Sequence, residues 1–264
     1  MQLKLENKHA LVTGSTAGIG FAIARSLAAE GAAVIVNGRT QERVQKAVDS
    51  IRAALPHARL EPWVADLSTA ASAEETARQF PTLDILVNNL GVYGPKPFEE
   101  ITDADWLSII ETNFLSGVRL SRHYLPKMKS AGWGRILFIA SESAVNIPVE
   151  MIHYGVTKTM QVALARGLAE TTAGTSVTVN SILAGPTRSE GVQTFVADMA
   201  RSKNVTTEDI EREFFRTVRP SSLLQRFATP DEVAALVTFV ASPLSSATNG
   251  AALRVEGGLV RSIL

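Results

Sequence analysis

The chain has three tyrosines in 264 residues, and only Tyr154, in "HYGVTK", has a lysine four positions on. At that spacing Tyr93 is followed by Pro97 and Tyr124 by Met128. Residues four apart on a helix share a face, one turn above the other. A phenol with a pKa of about 10 is a poor acid–base group at neutral pH. An ammonium beside it favours the phenolate, so Lys158 is expected to pull Tyr154 down. Twelve residues before "HYGVTK", the run "RILFIAS" reads as a strand ending at Ser141. A hydroxyl there can donate to a substrate oxygen and hold it against the phenol. Proton exchange with that oxygen is the chemistry these types and spacings allow.

Such groups need elements that bring them together. Short apolar runs alternate with longer amphipathic stretches along the whole chain. "HALVT", "AVIVN", "LEPWVA", "DILVN", "RILFIAS", "VTVNSIL" and "AALRV" read as strands. Most are nearly continuous in apolar residues, as in a parallel sheet covered on both faces. The helix-like stretches between them carry stop and start signals: Gly31 after "IARSLAAE", and "TPDE" at Thr229 to Glu232 as an N-cap. Repeated strand–helix alternation without a linker predicts one α/β domain over residues 1–264, a doubly wound parallel sheet. Its ligand crevice opens at the carboxyl ends of the strands.

Directly after the first strand stands "TGSTAGIG", from Thr13 to Gly20. Gly14, Gly18 and Gly20 permit a tight turn and close helix packing, with Ser15, Thr16 and Ile19 in the same cradle. The helix N-terminus offers N–H groups and positive dipole to a phosphate. The spacing G-x-x-x-G-x-G departs from the commoner dinucleotide fingerprint, and an ordinary strand–helix turn is the alternative. The second strand ends in Asn37-Gly38-Arg39 where an NAD-selecting fold places an acid. A guanidinium suits a 2′-phosphate, so NADP is the expected cofactor, with NAD as the alternative. Asp66 and Leu67 follow the third strand; Asp66 either accepts from an adenine amino group or caps the next helix. In "NNLG", Gly91 lets the backbone approach the cofactor and Asn88 is expected to brace that loop.

Composition removes several other functions. Lys plus Arg and Asp plus Glu each total 26, which argues against a nucleic-acid or anionic-membrane partner. Without cysteine there are no disulfides, thiol nucleophiles or thiolate metal sites. His9, His57 and His123 form no ligand-spaced set, and His153 beside Tyr154 faces another way on the helix, so no metal is expected. No apolar run approaches a membrane span, and the start lacks a signal-peptide layout. A cytoplasmic protein is the expectation.

Taken together, "TGSTAGIG", "NNLG", Asn113 in "ETNFLSG", Ser141 and "YGVTK" resemble the short-chain dehydrogenase/reductase family over nearly the whole chain. The serine stands 13 residues and the asparagine 41 before the tyrosine, the family's usual spacing. The resemblance implies a seven-stranded Rossmann fold, a catalytic tetrad of Asn113, Ser141, Tyr154 and Lys158, and often a homotetramer, otherwise a dimer. Tyr154 would exchange a proton with the oxygen of a small-molecule substrate, a ketone or secondary alcohol, while hydride moves to or from a nicotinamide. Lys158 would bind the nicotinamide ribose and Asn113 would hold a water. Gly185 and Thr187 fall in "AGPT", where the family usually has Pro-Gly, at the nicotinamide end. Ala17 occupies the place of a basic residue found in NADP-preferring relatives.

Residues 187–225 form a long segment with two helical stretches and apolar Phe195, Met199, Phe214 and Phe215. A substrate lid is one reading, packing on the core or a neighbouring subunit the other. Glu142, Glu150 and Met151 flank the site. An epimerase or dehydratase would need a larger C-terminal region, and a nucleotide sensor would be free to lose the phenol or the lysine.

Overall fold

Burial on both sides of the sheet is visible residue by residue. In β1 (His9–Val12), Ala10 and Val12 pack with Ile23 and Leu27, whereas Leu11 between them packs with Tyr124 and Phe138. In β2 (Ala33–Gly38), Val34 and Val36 join the first cluster and Ile35 the second. β4 (Ile85–Asn88) divides the same way, with Ile85 and Val87 against Leu86. Successive strand residues point to opposite faces, so a strand covered on both leaves no polar side to alternate with. The computed structural model showing this describes residues 2–263.

The remaining strands are β3 (Leu60–Val64), β5 (Gly134–Ser141), β6 (Val177–Ala184) and β7 (Ala252–Val255). All seven runs expected from the sequence form strands, pairing in parallel in the order β3-β2-β1-β4-β5-β6-β7. Pro62 is tolerated because β3 is an edge strand and misses no inner ladder bond. Helices α1 (Gly18–Ala29), α2 (Gln41–Ala54) and α3 (Ala70–Gln79) link the first strands. α4 (Asp103–Ile110), α5 (Ser116–Ala131) and α6 (Ile152–Glu170) follow, then α7 (Glu190–Lys203), α8 (Thr207–Thr217) and α9 (Pro230–Val240). α1, α2 and α9 cover one face and α3, α5 and α6 the other.

β1 lies between β2 and β4, so the chain's direction of travel reverses there and a crevice opens at the strands' carboxyl ends. Between α4 and α5 a π-helical turn, Glu111–Leu115, widens the helix where Asn113 sits. α9 begins as its sequence signals: Glu232 N–H donates to Thr229 Oγ1 at 3.2 Å and Thr229 N–H returns to Glu232 Oε2 at 2.7 Å. Such a cap is worth about 1 kcal/mol.

Candidate active site

α2, α3, α4, α7, α8 and α9 each start under a Ser or Thr side chain, whereas α1 starts after Ala17 with no side-chain cap. Its first-turn N–H groups therefore remain for an anion in the crevice. The loop ahead of them is braced by asparagines. Gly14 N–H donates to Asn37 Oδ1 at 3.1 Å, and Asn37 Nδ2 donates to the carbonyls of Trp63 and Ala65 at 3.3 and 3.1 Å. Asn89 Nδ2 donates to the Thr13 and Gly14 carbonyls at 2.9 and 3.1 Å. Asn88, expected to brace its own loop at Gly91, turns instead towards α5, donating to Ser121 Oγ at 3.4 Å. Consecutive side chains at a strand end point opposite ways, which is why one of the pair meets the loop and the other does not.

Ser15 is committed to the strands: its hydroxyl donates to the Val12 carbonyl at 2.7 Å and accepts from Asn37 N–H at 2.9 Å. Thr16, Gly18 and Ile19 are half-buried along the crevice wall. Gly20 is fixed by contact, since a Cβ there would lie 2.5 Å from both the Gly14 carbonyl oxygen and Asn89 Nδ2. Arg39 is exposed at the end of β2. Arg43, absent from the sequence reading, reaches Glu190 at 3.7 Å and links α2 to the start of α7. Asp66 is not the cap of α3, which Thr69 supplies; its Oδ1 instead accepts from the backbone and hydroxyl of Ser68 at 3.1 and 2.7 Å. Leu67 is core.

β5 and α6 bring the chemistry together. Ser141, Tyr154 and Lys158 meet at the carboxyl end of β5, with the Ser141 hydroxyl beside the phenol. Lys158 Nζ lies 5.6 Å from the centre of the Tyr154 ring. It donates to the Ile139 carbonyl at 2.8 Å and to Gln161 Oε1 at 3.2 Å. Burial pulls its pKa down to about 8. Burial also pushes the Tyr154 phenol up, as do the charge of Glu142 and the nearby Tyr93; only the neighbouring Ser141 hydroxyl opposes them. The expectation that Lys158 lowers Tyr154 is therefore corrected for the protein alone: loss of solvent outweighs an ammonium placed over the ring.

Asn113 is a clamp here. Its Oδ1 accepts from Val92 N–H at 2.7 Å, while Nδ2 donates to the Val92 carbonyl at 2.9 Å and to Thr157 Oγ1 at 3.1 Å. Its main-chain carbonyl accepts from Gln161 Nε2, so Gln161 connects Asn113 to Lys158. The sequence signal for Gln161 was its place three residues beyond Lys158, on the same helical face. Gly91 closes the wall: a Cβ there would stand 3.5 Å from both Lys158 Nζ and Asn113 Oδ1.

Opposite, Gly185 passes so near β7's end that a Cβ would lie 2.6 Å from Glu256 Cα. Thr187 is buried, and its hydroxyl donates to the Gly185 carbonyl at 2.9 Å. The apolar residues of 187–225 divide. Phe215 is core, its ring 5.1 Å from Phe214 and 5.2 Å from Phe227, whereas Phe195 is 59% exposed. His153 packs its ring against Trp106 at 6.1 Å, matching its structural reading.

A sequence profile described as short chain dehydrogenase matches residues 8–200. The chain is 49% identical over 263 residues to an uncharacterized oxidoreductase, YvaG, of Bacillus subtilis (strain 168), covering all of both chains. It is 36% identical to a D-beta-hydroxybutyrate dehydrogenase of Cupriavidus necator, covering 97% of this chain and 99% of that one. In structure it is similar to L-sorbose reductase from Gluconobacter frateurii, solved with NADPH and L-sorbose. That similarity has a TM-score of 0.91 at 28% identity and covers 100% of both chains. The chain belongs to the short-chain dehydrogenase/reductase family and is an oxidoreductase of CH–OH groups. Among the described residues no helix is long and apolar enough to cross a membrane, and no three ligating side chains cluster for a metal ion.

Proposed function

We propose that the protein is an NADP(H)-dependent carbonyl reductase or secondary-alcohol dehydrogenase in which Tyr154 exchanges the proton. The observation carrying this is the convergence of Ser141, Tyr154 and Lys158 at the crevice, beside a helix N-terminus without a side-chain cap. The crevice fits a dinucleotide. The wall at Gly20 has no room for a Cβ, the α1 N–H groups suit a pyrophosphate, and Arg39 suits a 2′-phosphate. A nicotinamide cofactor held there would supply the hydride for the carbonyl carbon. Tyr154 gives its proton to the carbonyl oxygen, and the product is the alcohol. Lys158 lies within reach of the crevice wall at Gly91 and suits a ribose hydroxyl there. The segment 187–225, which approaches the glycine loop through Ser189 near Gly18, is read as the cover of the site.

The test follows NADPH and NADH oxidation across ketones, starting with ketoses and 3-keto acids because relatives are named for L-sorbose and D-beta-hydroxybutyrate. Turnover abolished by Tyr154→Phe, with cofactor binding intact, is the expected result. Tight NADPH binding with no turnover on any carbonyl would replace this reading with that of a nucleotide sensor.

A further inference from the structure

A carboxylate is buried one residue beyond the active-site serine. Glu142 is 3% exposed. Its Oε2 accepts from the Ser141 hydroxyl at 2.7 Å and from the Ser143 hydroxyl, and its Oε1 accepts from Arg219 Nε at 3.1 Å. Arg219, 8% exposed, arrives from beyond α8; its Nη1 donates to the Val218 carbonyl at 3.0 Å and reaches Glu150 Oε1 at 3.4 Å. A carboxylate at this depth is costly unless paired and hydrogen-bonded, and Glu142 is both.

A serine hydroxyl carries one hydrogen. Here it goes to Glu142, and the Ser141 oxygen accepts from Ser143 N–H at 3.1 Å, so the hydroxyl has no second hydrogen to offer the phenol beside it. Once Tyr154 has lost its proton, the phenolate competes for that same serine hydrogen, and Glu142 holds the rival position. We propose that Glu142 is a positioning residue of the reaction: by taking the Ser141 hydrogen it keeps Tyr154 in its proton-donating form, with Arg219 pinning the carboxylate in place. This rests on the role of Tyr154 given above.

The other groups around this centre are consistent with it. Tyr154 and Lys158 face it from α6, Tyr93 from the loop after β4, Glu150 from the turn before α6, and Arg261 lines the outer cavity beside Arg219. The charge of Glu142 acts on Tyr154 in the same direction as the hydrogen bond it takes. Replacing the carboxylate removes both effects.

With three tyrosines, 13Cζ-tyrosine NMR reads Tyr154 directly, Tyr93→Phe and Tyr124→Phe giving the assignments. Wild type and Glu142→Gln are titrated without substrate, with and without NADP+. The Tyr154 midpoint is expected to fall by about one pH unit in Glu142→Gln. The limb of the reduction profile that falls with pH should move with it. Should Glu142→Gln fold poorly, Glu142→Gln/Arg219→Gln replaces the ion pair with two amides and is expected to move the midpoint the same way. A folded variant with an unmoved or raised midpoint overturns the proposal. That outcome is separable from failure of the functional reading, which shows instead as a wild-type enzyme that turns over no carbonyl.

Discussion

Lys158 stands over the Tyr154 ring, yet its hydrogen bonds run to the Ile139 carbonyl and to Gln161. The phenol is thus left to burial, which raises it. Titrated alone, the protein should show Tyr154 ionising above the ordinary tyrosine value of about 10. Adding NADP+, whose nicotinamide ring is cationic, should bring the midpoint down. Tyrosine NMR reads both. A midpoint near neutrality before any cofactor is added would mean that the ammonium governs the phenol after all.

Lys158 leaves its own mark on stability. Its pKa is about 8 in the folded protein and about 10.4 when unfolded. Between those values the unfolded chain binds more protons, so this group makes stability rise with pH across that window and fall as pH drops through about 8. Thermal melts of wild type and Lys158→Met from pH 7 to 10 check this. The difference between the two should favour wild type progressively towards alkaline pH; a constant difference would show that Lys158 titrates normally.

Gln161→Leu should harm both neighbours that its amide joins. It takes an acceptor from the buried Lys158 ammonium and a donor from the Asn113 carbonyl. Leaving such groups unmatched costs about 1–3 kcal/mol. A lower melting temperature and a several-fold loss in kcat are expected, while NADPH affinity changes little. Unchanged values would make the bridge incidental.

Arg39→Leu separates the cofactors. If the exposed guanidinium meets a 2′-phosphate, KM for NADPH should rise about tenfold or more and KM for NADH should stay within about twofold. Equal effects on both would move the phosphate recognition elsewhere, with Arg43 the next residue to replace.

The strands were readable because a sheet buried on both faces leaves uninterrupted apolar runs, as in "AVIVN". The meeting of Ser141, Tyr154 and Lys158 was readable because a strand end and one helical turn fix their places locally. The role of Asn89 was not legible because its partners, the Thr13 and Gly14 carbonyls, lie 76 and 75 positions away across the sheet. Glu142 was noticed only as a flanking residue. Its partner Arg219 lies 77 positions away, and spacing along a chain says nothing about contacts at that range. The electrostatics were misjudged for a similar reason: sequence shows which charge is near the phenol but not how little water reaches it.

The widened turn at Glu111–Leu115 takes up one residue more than ordinary helical winding would hold. A single deletion there would let the stretch return to ordinary winding with α4 and α5 keeping nearly their present faces, whereas a deletion between Trp106 and Ile110 would swing the start of α4 by about 100°. Trp106 would then be carried off His153, one position before the Tyr154 phenol. The wide turn therefore behaves as a slack link, holding a residue that the neighbouring helix could not spare.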